Sequence, residues 1–287
     1  MATETVAQER STARAAIKAK TLRTDRWWLL PLITFIGFSA FIVYSTWAAF
    51  DHHSVMQAGI KTPEYYADPY LSPFYSPCLA NGCPSAIAWA HWNIGTWVSP
   101  ALLILIFPLS FRATCYYYRK AYYRSFWLSP PACAVSEPHG KYSGETRFPL
   151  IFQNIHRYAW YAAALFSGFL TYDAVRSFIY DVPGGGHHFF IGVGSFVFVI
   201  NAVLIIGYTF GCHSCRHITA GRINHFSKHP LRYKWWTMVS WLNKHHIRWA
   251  WASLVWVGLT DLYVRLVATG NLHDYSHAFG TAVRFHG

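Results

Sequence analysis

Five long apolar runs leave this chain few ways to fold. They fall at 27–50, 86–111, 150–178, 188–212 and 239–268. About 20 apolar residues in a helix cross the roughly 30 Å hydrocarbon core of a bilayer, so each run is long enough to span it with some tilt. Only 13% of the residues are charged and 53% are hydrophobic, where a soluble domain carries about 25% charge. The pattern predicts an all-α integral membrane bundle of five transmembrane helices.

Basic residues set the orientation. Segments 1–26, 112–149 and 213–244 carry six Lys or Arg each, whereas 51–85, 181–187 and 269–287 carry one, none and one. The bias alternates at every crossing, which predicts an inside N-terminus, an outside C-terminus and a multi-pass membrane protein. Residues 1–26 read as a cytoplasmic arm. The apolar run that follows is too long for a secretory signal. The five-helix domain then occupies 27–287. The net charge of +12 collects on one face, where it suits anionic lipid head groups or an acidic partner surface. Orientation alone requires that excess, so nucleic acid is not a predicted partner.

A duplication runs through the spans. Asn154, His156, Trp160, Leu165, Leu170, Thr171, Val175 and Arg176 recur without a gap as Asn243, His245, Trp249, Leu254, Leu259, Thr260, Val264 and Arg265, at an offset of 89. Upstream, His91, Ile94, Gly95, Cys115 and Arg119 recur as His188, Ile191, Gly192, Cys212 and Arg216, at an offset of 97. The reading is one leading span (27–50) and two tandem parallel helix pairs, 86–178 and 188–268, related about the membrane normal.

The repeated thiols and imidazoles are the candidate chemistry. Cys115 and Cys212 close spans 2 and 4, and His156 and His245 open spans 3 and 5, so the topology predicts all four at the cytoplasmic boundary. Two thiolates with two neutral imidazoles suit tetrahedral zinc or a Rieske-type [2Fe-2S] cluster. Cys212-x-x-Cys215 offers a second thiolate choice with His156 and His245 or His246, although Cys215 faces Tyr118 in the repeat. Mid-span histidines are nearly absent, which disfavours haem b in the membrane centre; His91 and His188 near the outer face are the remaining haem pair. Arg119 and Arg216, one turn past each repeated cysteine, are read as anchors or as groups acting on a cluster or quinone oxygen. Tyr158, Arg248 and Trp235 lie at similar depth as quinone-site candidates or as interfacial belt. Cys78 and Cys83, in Cys-Leu-Ala-Asn-Gly-Cys on the oxidising side, predict a small disulfide.

This topology with its repeated Cys and His resembles the membrane-anchor subunit of succinate dehydrogenase, respiratory complex II, in the actinobacterial single-chain type with a membrane iron–sulfur cluster instead of haem. The resemblance implies an iron–sulfur subunit docked on the cytoplasmic side, a flavoprotein that oxidises succinate beyond it, and quinone as the acceptor. It therefore implies a non-succinate-binding subunit of the enzyme. Which quinone is used, and whether the whole complex forms an oligomer, stay open.

Overall fold

The computed structural model describes residues 23–51, 54–57, 60–75, 100–138, 146–148, 150–181 and 187–279. Within them the chain is mostly helical: α1 (Leu29–Phe50), α2 (Pro100–Ala113), α3 (Tyr116–Ser125), α4 (His156–Arg176), α5 (Val193–Phe210), α6 (His213–Ala220), α7 (Pro230–Lys244) and α8 (His246–Ala268). Short strands join them: β1 (Ser54–Gln57), β2 (Ile60–Pro63), β3 (Tyr66–Ala67), β4 (Tyr70–Leu71), β5 (Ile179–Asp181), β6 (His187–Gly192) and β7 (Ser276–Phe279). The chain divides into two compact units, one of Met1–Ile42 and Ala113–Asn154, the other of Val43–Arg112 and Ile155–Gly287.

In the first unit, aromatic rings join the early part of α1 to the α3 segment. Phe35 meets Phe126 at 4.8 Å and Phe38 stacks on Tyr118 at 5.9 Å. Tyr122 donates to the Ala113 carbonyl at 3.2 Å, as does the Gln153 amide at 3.3 Å, closing the turn into α3. Arg23 donates to the Cys133 carbonyl at 3.0 Å and pairs with Asp25, whose carboxyl it holds below the usual range.

The second unit is built on α5, which packs against α4 on one side and α8 on the other. Lipid tails are as apolar as leucine, so such helices associate through close packing of small residues and hydrogen bonds. The interfaces supply both. Ala159, Ala163, Ser167 and Ala174 of α4, Ser195 and Ala202 of α5, and Ala250, Ser253 and Ala268 of α8 are all buried. Trp160 donates to the Thr209 carbonyl at 2.8 Å, Ser195 to the Ser177 carbonyl at 2.7 Å, and Trp256 to the Val197 carbonyl at 3.0 Å. At Gly207 a Cβ would stand 2.8 Å from the Trp249 ring, so glycine sets how closely α5 and α8 approach.

The far end of this unit is capped by short strands. Strands β5, β6 and β7 form an antiparallel sheet in that order, and Tyr70 and Tyr263 both donate to Asp274 at 2.7 Å. Beside it Arg265, 4% exposed, pairs with Asp51 and with Asp261 at 2.9 Å. Tyr44 and Ser72 donate to the same Asp261 carboxylate. Buried charges persist where each has a partner and its remaining hydrogen bonds are made.

Among the described residues three helices, α1, α5 and α8, are long and apolar enough to cross a membrane. The other two predicted spans differ for stated reasons. The described part of α2 has 14 residues, and α4, although 21 residues long, is richer in alanine and tyrosine and poorer in valine and leucine than α8, so it is less apolar. Predicted boundaries also move. Residues 150–155 form a 3-10 turn before α4, 187–192 form β6 before α5, and 239–268 divides at His245 into the end of α7 and all of α8. The predicted cytoplasmic connection 213–238 is largely helix, α6 and most of α7. The all-α expectation thus acquires a few short antiparallel strands at the connections.

Candidate thiol–imidazole site

The end of the second unit opposite the Arg265 network gathers the repeated residues. Cys212 is the N-cap of α6, in extended conformation, and its sulfur accepts the Ser214 N–H at 3.4 Å. The Nε2 of His156, first residue of α4, lies 3.0 Å from Cys212 Sγ. In the first unit Cys115 has the same local setting, an extended N-cap, before α3. Both cysteines are buried.

Half-buried His156 and buried His246 are each held by an aromatic ring. His156 stacks on Phe111 (4.8 Å between centroids, 8° between planes) and His246 on Tyr208 (5.1 Å, 10°). Phe111 and Tyr208 each precede a repeated cysteine by four residues and share the offset of 97. Gly211 lets the second half close: a Cβ there would meet the Gly207 and Leu242 carbonyls and His246 Nδ1. Asn243 donates to the Gly211 carbonyl at 2.8 Å, fixing the α7–α8 joint against the same turn.

The structure buries His246, the alternative imidazole, more deeply than His245, which sequence matching pairs with His156. His245 is the residue between α7 and α8; its Nδ1 lies 3.1 Å from the Trp241 carbonyl and its ring is half-buried. His246 is 1% exposed and begins α8 as His156 begins α4. Burial follows an offset of 90 rather than 89. Trp160 and Ala250, Ala163 and Ser253, Ser167 and Val257, and Ala174 and Val264 are buried in both helices, whereas Leu165 is 59% exposed and Leu254 2%. One residue turns a helix face by about 100°, so matching letters and matching faces part company here.

Arg112 is the neighbour that the sequence reading missed. Its guanidinium lies 4.7 Å over the Tyr208 ring and donates to Ser253 Oγ at 3.1 Å and the Ala250 carbonyl at 3.4 Å. No counterpart in the repeat marks it, because residue 209 is a threonine. His213, at the start of α6, is near enough to interact electrostatically with both His156 and His246.

Of the other candidates, Cys215 is buried one turn into α6, where burial pushes its thiol up. Arg216 donates to Ser240 at 3.2 Å and lies over Trp236 at 5.0 Å. Arg119 lies over Tyr116 at 5.0 Å and, with Lys120, Arg124 and Glu137, lines a cavity of about 430 Å³ in the first unit. That lining is charged rather than apolar, unlike most small-molecule pockets. Tyr158, Trp235 and Arg248 are exposed. Cys78, Cys83 and His91 lie outside the described residues, and His188 pairs with Tyr180 in the β5–β6 ladder.

Among the described residues no three His, Cys or carboxylate side chains converge tightly enough to hold one metal ion. A tetrahedral zinc site takes four protein donors on one ion, whereas a Rieske cluster takes two at each of two irons.

A bundle of apolar helices with a part-buried thiol–imidazole pair at one end defines a helical membrane subunit. The family model of the actinobacterial succinate dehydrogenase subunit SdhC matches residues 29–270, and the chain belongs to that family. A solved chain of the Mycobacterium smegmatis Sdh1 complex in the apo form is 50% identical, with a TM-score of 0.73 over 88% of this chain and 92% of that one. No curated protein matches the chain.

Proposed function

We propose that this membrane subunit of succinate dehydrogenase carries electrons from a cytoplasmic iron–sulfur subunit to quinone through a Rieske-type [2Fe-2S] cluster. In this reading a flavoprotein beyond the iron–sulfur subunit oxidises succinate, and the chain crosses the bacterial inner membrane five times with its N-terminus inside. The observation that carries the reading is the 3.0 Å approach of His156 to Cys212, beside a second histidine gripped by the same kind of aromatic stack.

The donors we assign are His156, His246 and Cys212, with Cys115 added from its equivalence to Cys212 in the repeat and in cap conformation. The cluster would supply one-electron transfer at a potential raised by its two imidazoles, within roughly −150 to +300 mV. The chain's own residues do the rest. Phe111 and Tyr208 fix the ring planes, and burial keeps water from Cys115, Cys212 and His246. Arg119, Arg216, Tyr158, Arg248 and Trp235 remain the proposed contacts for quinone at this face. The exposed members are open to a membrane-borne ligand.

Replacing His156 and His246 together by alanine in the assembled complex should abolish quinone reduction while succinate oxidation by a soluble artificial acceptor continues. Quinone reduction at the wild-type rate would contradict the electron-transfer role.

A further inference from the structure

We infer that Arg112 is a positioning residue that raises the reduction potential of the proposed cluster by holding a fixed positive charge beside its histidine end. The inference rests on the cluster reading above and concerns a residue that neither the repeat nor the family match assigns.

The geometry is specific. Arg112 sits one residue after Phe111, the ring that stacks on His156. Its guanidinium reaches the other half of the site, over Tyr208, whose opposite partner is His246. Hydrogen bonds to Ser253 and the Ala250 carbonyl tie it to α8 below His246. One arginine therefore touches the supports of both imidazoles. A charged side chain within an apolar bundle is costly and is usually retained for a pathway or site. Arginine stays protonated under all ordinary conditions, so this charge is permanent.

Electron counting gives the sign. An oxidised cluster core of charge +2 bound by two thiolates and two neutral imidazoles is neutral overall. One electron from a one-electron donor, the partner's iron–sulfur chain or dithionite in a titration, makes it −1, with no bond broken and no proton required. A nearby cation stabilises the reduced form more than the oxidised form. In a low-dielectric site that preference is far stronger than in water. Ser253 and the Ala250 carbonyl keep the guanidinium from swinging away to solvent.

The test is an electron paramagnetic resonance redox titration of the assembled complex, following the nitrogen-coordinated cluster signal. Absence of that signal from the wild type would sink the cluster reading itself, before Arg112 is at issue. With the signal present, Arg112→Gln should shift its midpoint downward, and Arg112→Lys should shift it less. Ser253→Ala, which loosens the guanidinium without burying or removing a charge, should also shift it downward. If Arg112→Gln does not assemble, Ser253→Ala decides alone. An unchanged midpoint in Arg112→Gln and Ser253→Ala, or equal shifts in the Lys and Gln variants, would overturn the inference.

Discussion

His246 and His245 are neighbours with opposite surroundings, and the difference can be measured. His246 is sealed under Tyr208 at the first turn of α8, whereas His245 spans the joint and faces the Trp241 carbonyl. His246→Ala should remove the cluster's nitrogen coordination, and His245→Ala should leave iron and sulfide content near the wild-type level. Loss of iron in the His245 variant alone would reverse the assignment. The two other thiols among the described residues, Cys133 and Cys215, differ as clearly. Cys133 is exposed and Cys215 is buried, and burial pushes the Cys215 thiol up. Its neutral form therefore stabilises the fold below the ordinary thiol range, and that contribution fades as pH rises through the raised value. At neutral pH a maleimide should modify Cys133 quickly and Cys215 only after unfolding; equal rates would contradict the described burial.

At the scale of elements, close approach is the main requirement, and glycine and paired charge meet it. Gly207→Ala would push a methyl group into the Trp249 ring, and overpacking of this kind costs about 1–3 kcal/mol. A thermal melt no lower than wild type would show that α5 and α8 are not packed as described. Arg265→Ala should cost more, about 3–5 kcal/mol, because it strands Asp51 and Asp261 without their cation. Adding Asp51→Asn should recover part of that loss, as coupled neighbours do. The elements also show how far the sequence could be read. The apolar runs located α1, α5 and α8, and the repeat located Cys212 and His156, because length and spacing survive in the letters. The joint at His245 was invisible: an apolar run does not reveal a break that only one residue makes. Aligning identical letters pairs His156 with His245, whereas the buried faces of α4 and α8 pair it with His246, since packing conserves faces rather than residue types. Phe111 and Tyr208 were within reach as an aromatic four residues before each cysteine. Arg112 was not, because its meaning lies in Tyr208 and Ser253, 96 and 141 positions away.

For the whole molecule, the account joins a membrane subunit of known family to a chemical role argued from one end of its bundle. Topology is the first test at this scale. Cys133 lies in the basic segment 112–149, so an impermeant maleimide should label it in inverted membrane vesicles and not in intact cells. Labelling from outside would invert the orientation and place the thiol–imidazole end away from the cytoplasm. The role itself depends on iron–sulfur bound by nitrogen as well as sulfur, which distinguishes this centre from all-thiolate clusters in a partner subunit. Pulsed electron paramagnetic resonance of the reduced, purified complex measures that directly. The account predicts an iron–sulfur signal coupled to two histidine nitrogens, lost in His156→Ala and in His246→Ala. Sharp haem bands in the optical spectrum with no nitrogen-coupled iron–sulfur signal would contradict it.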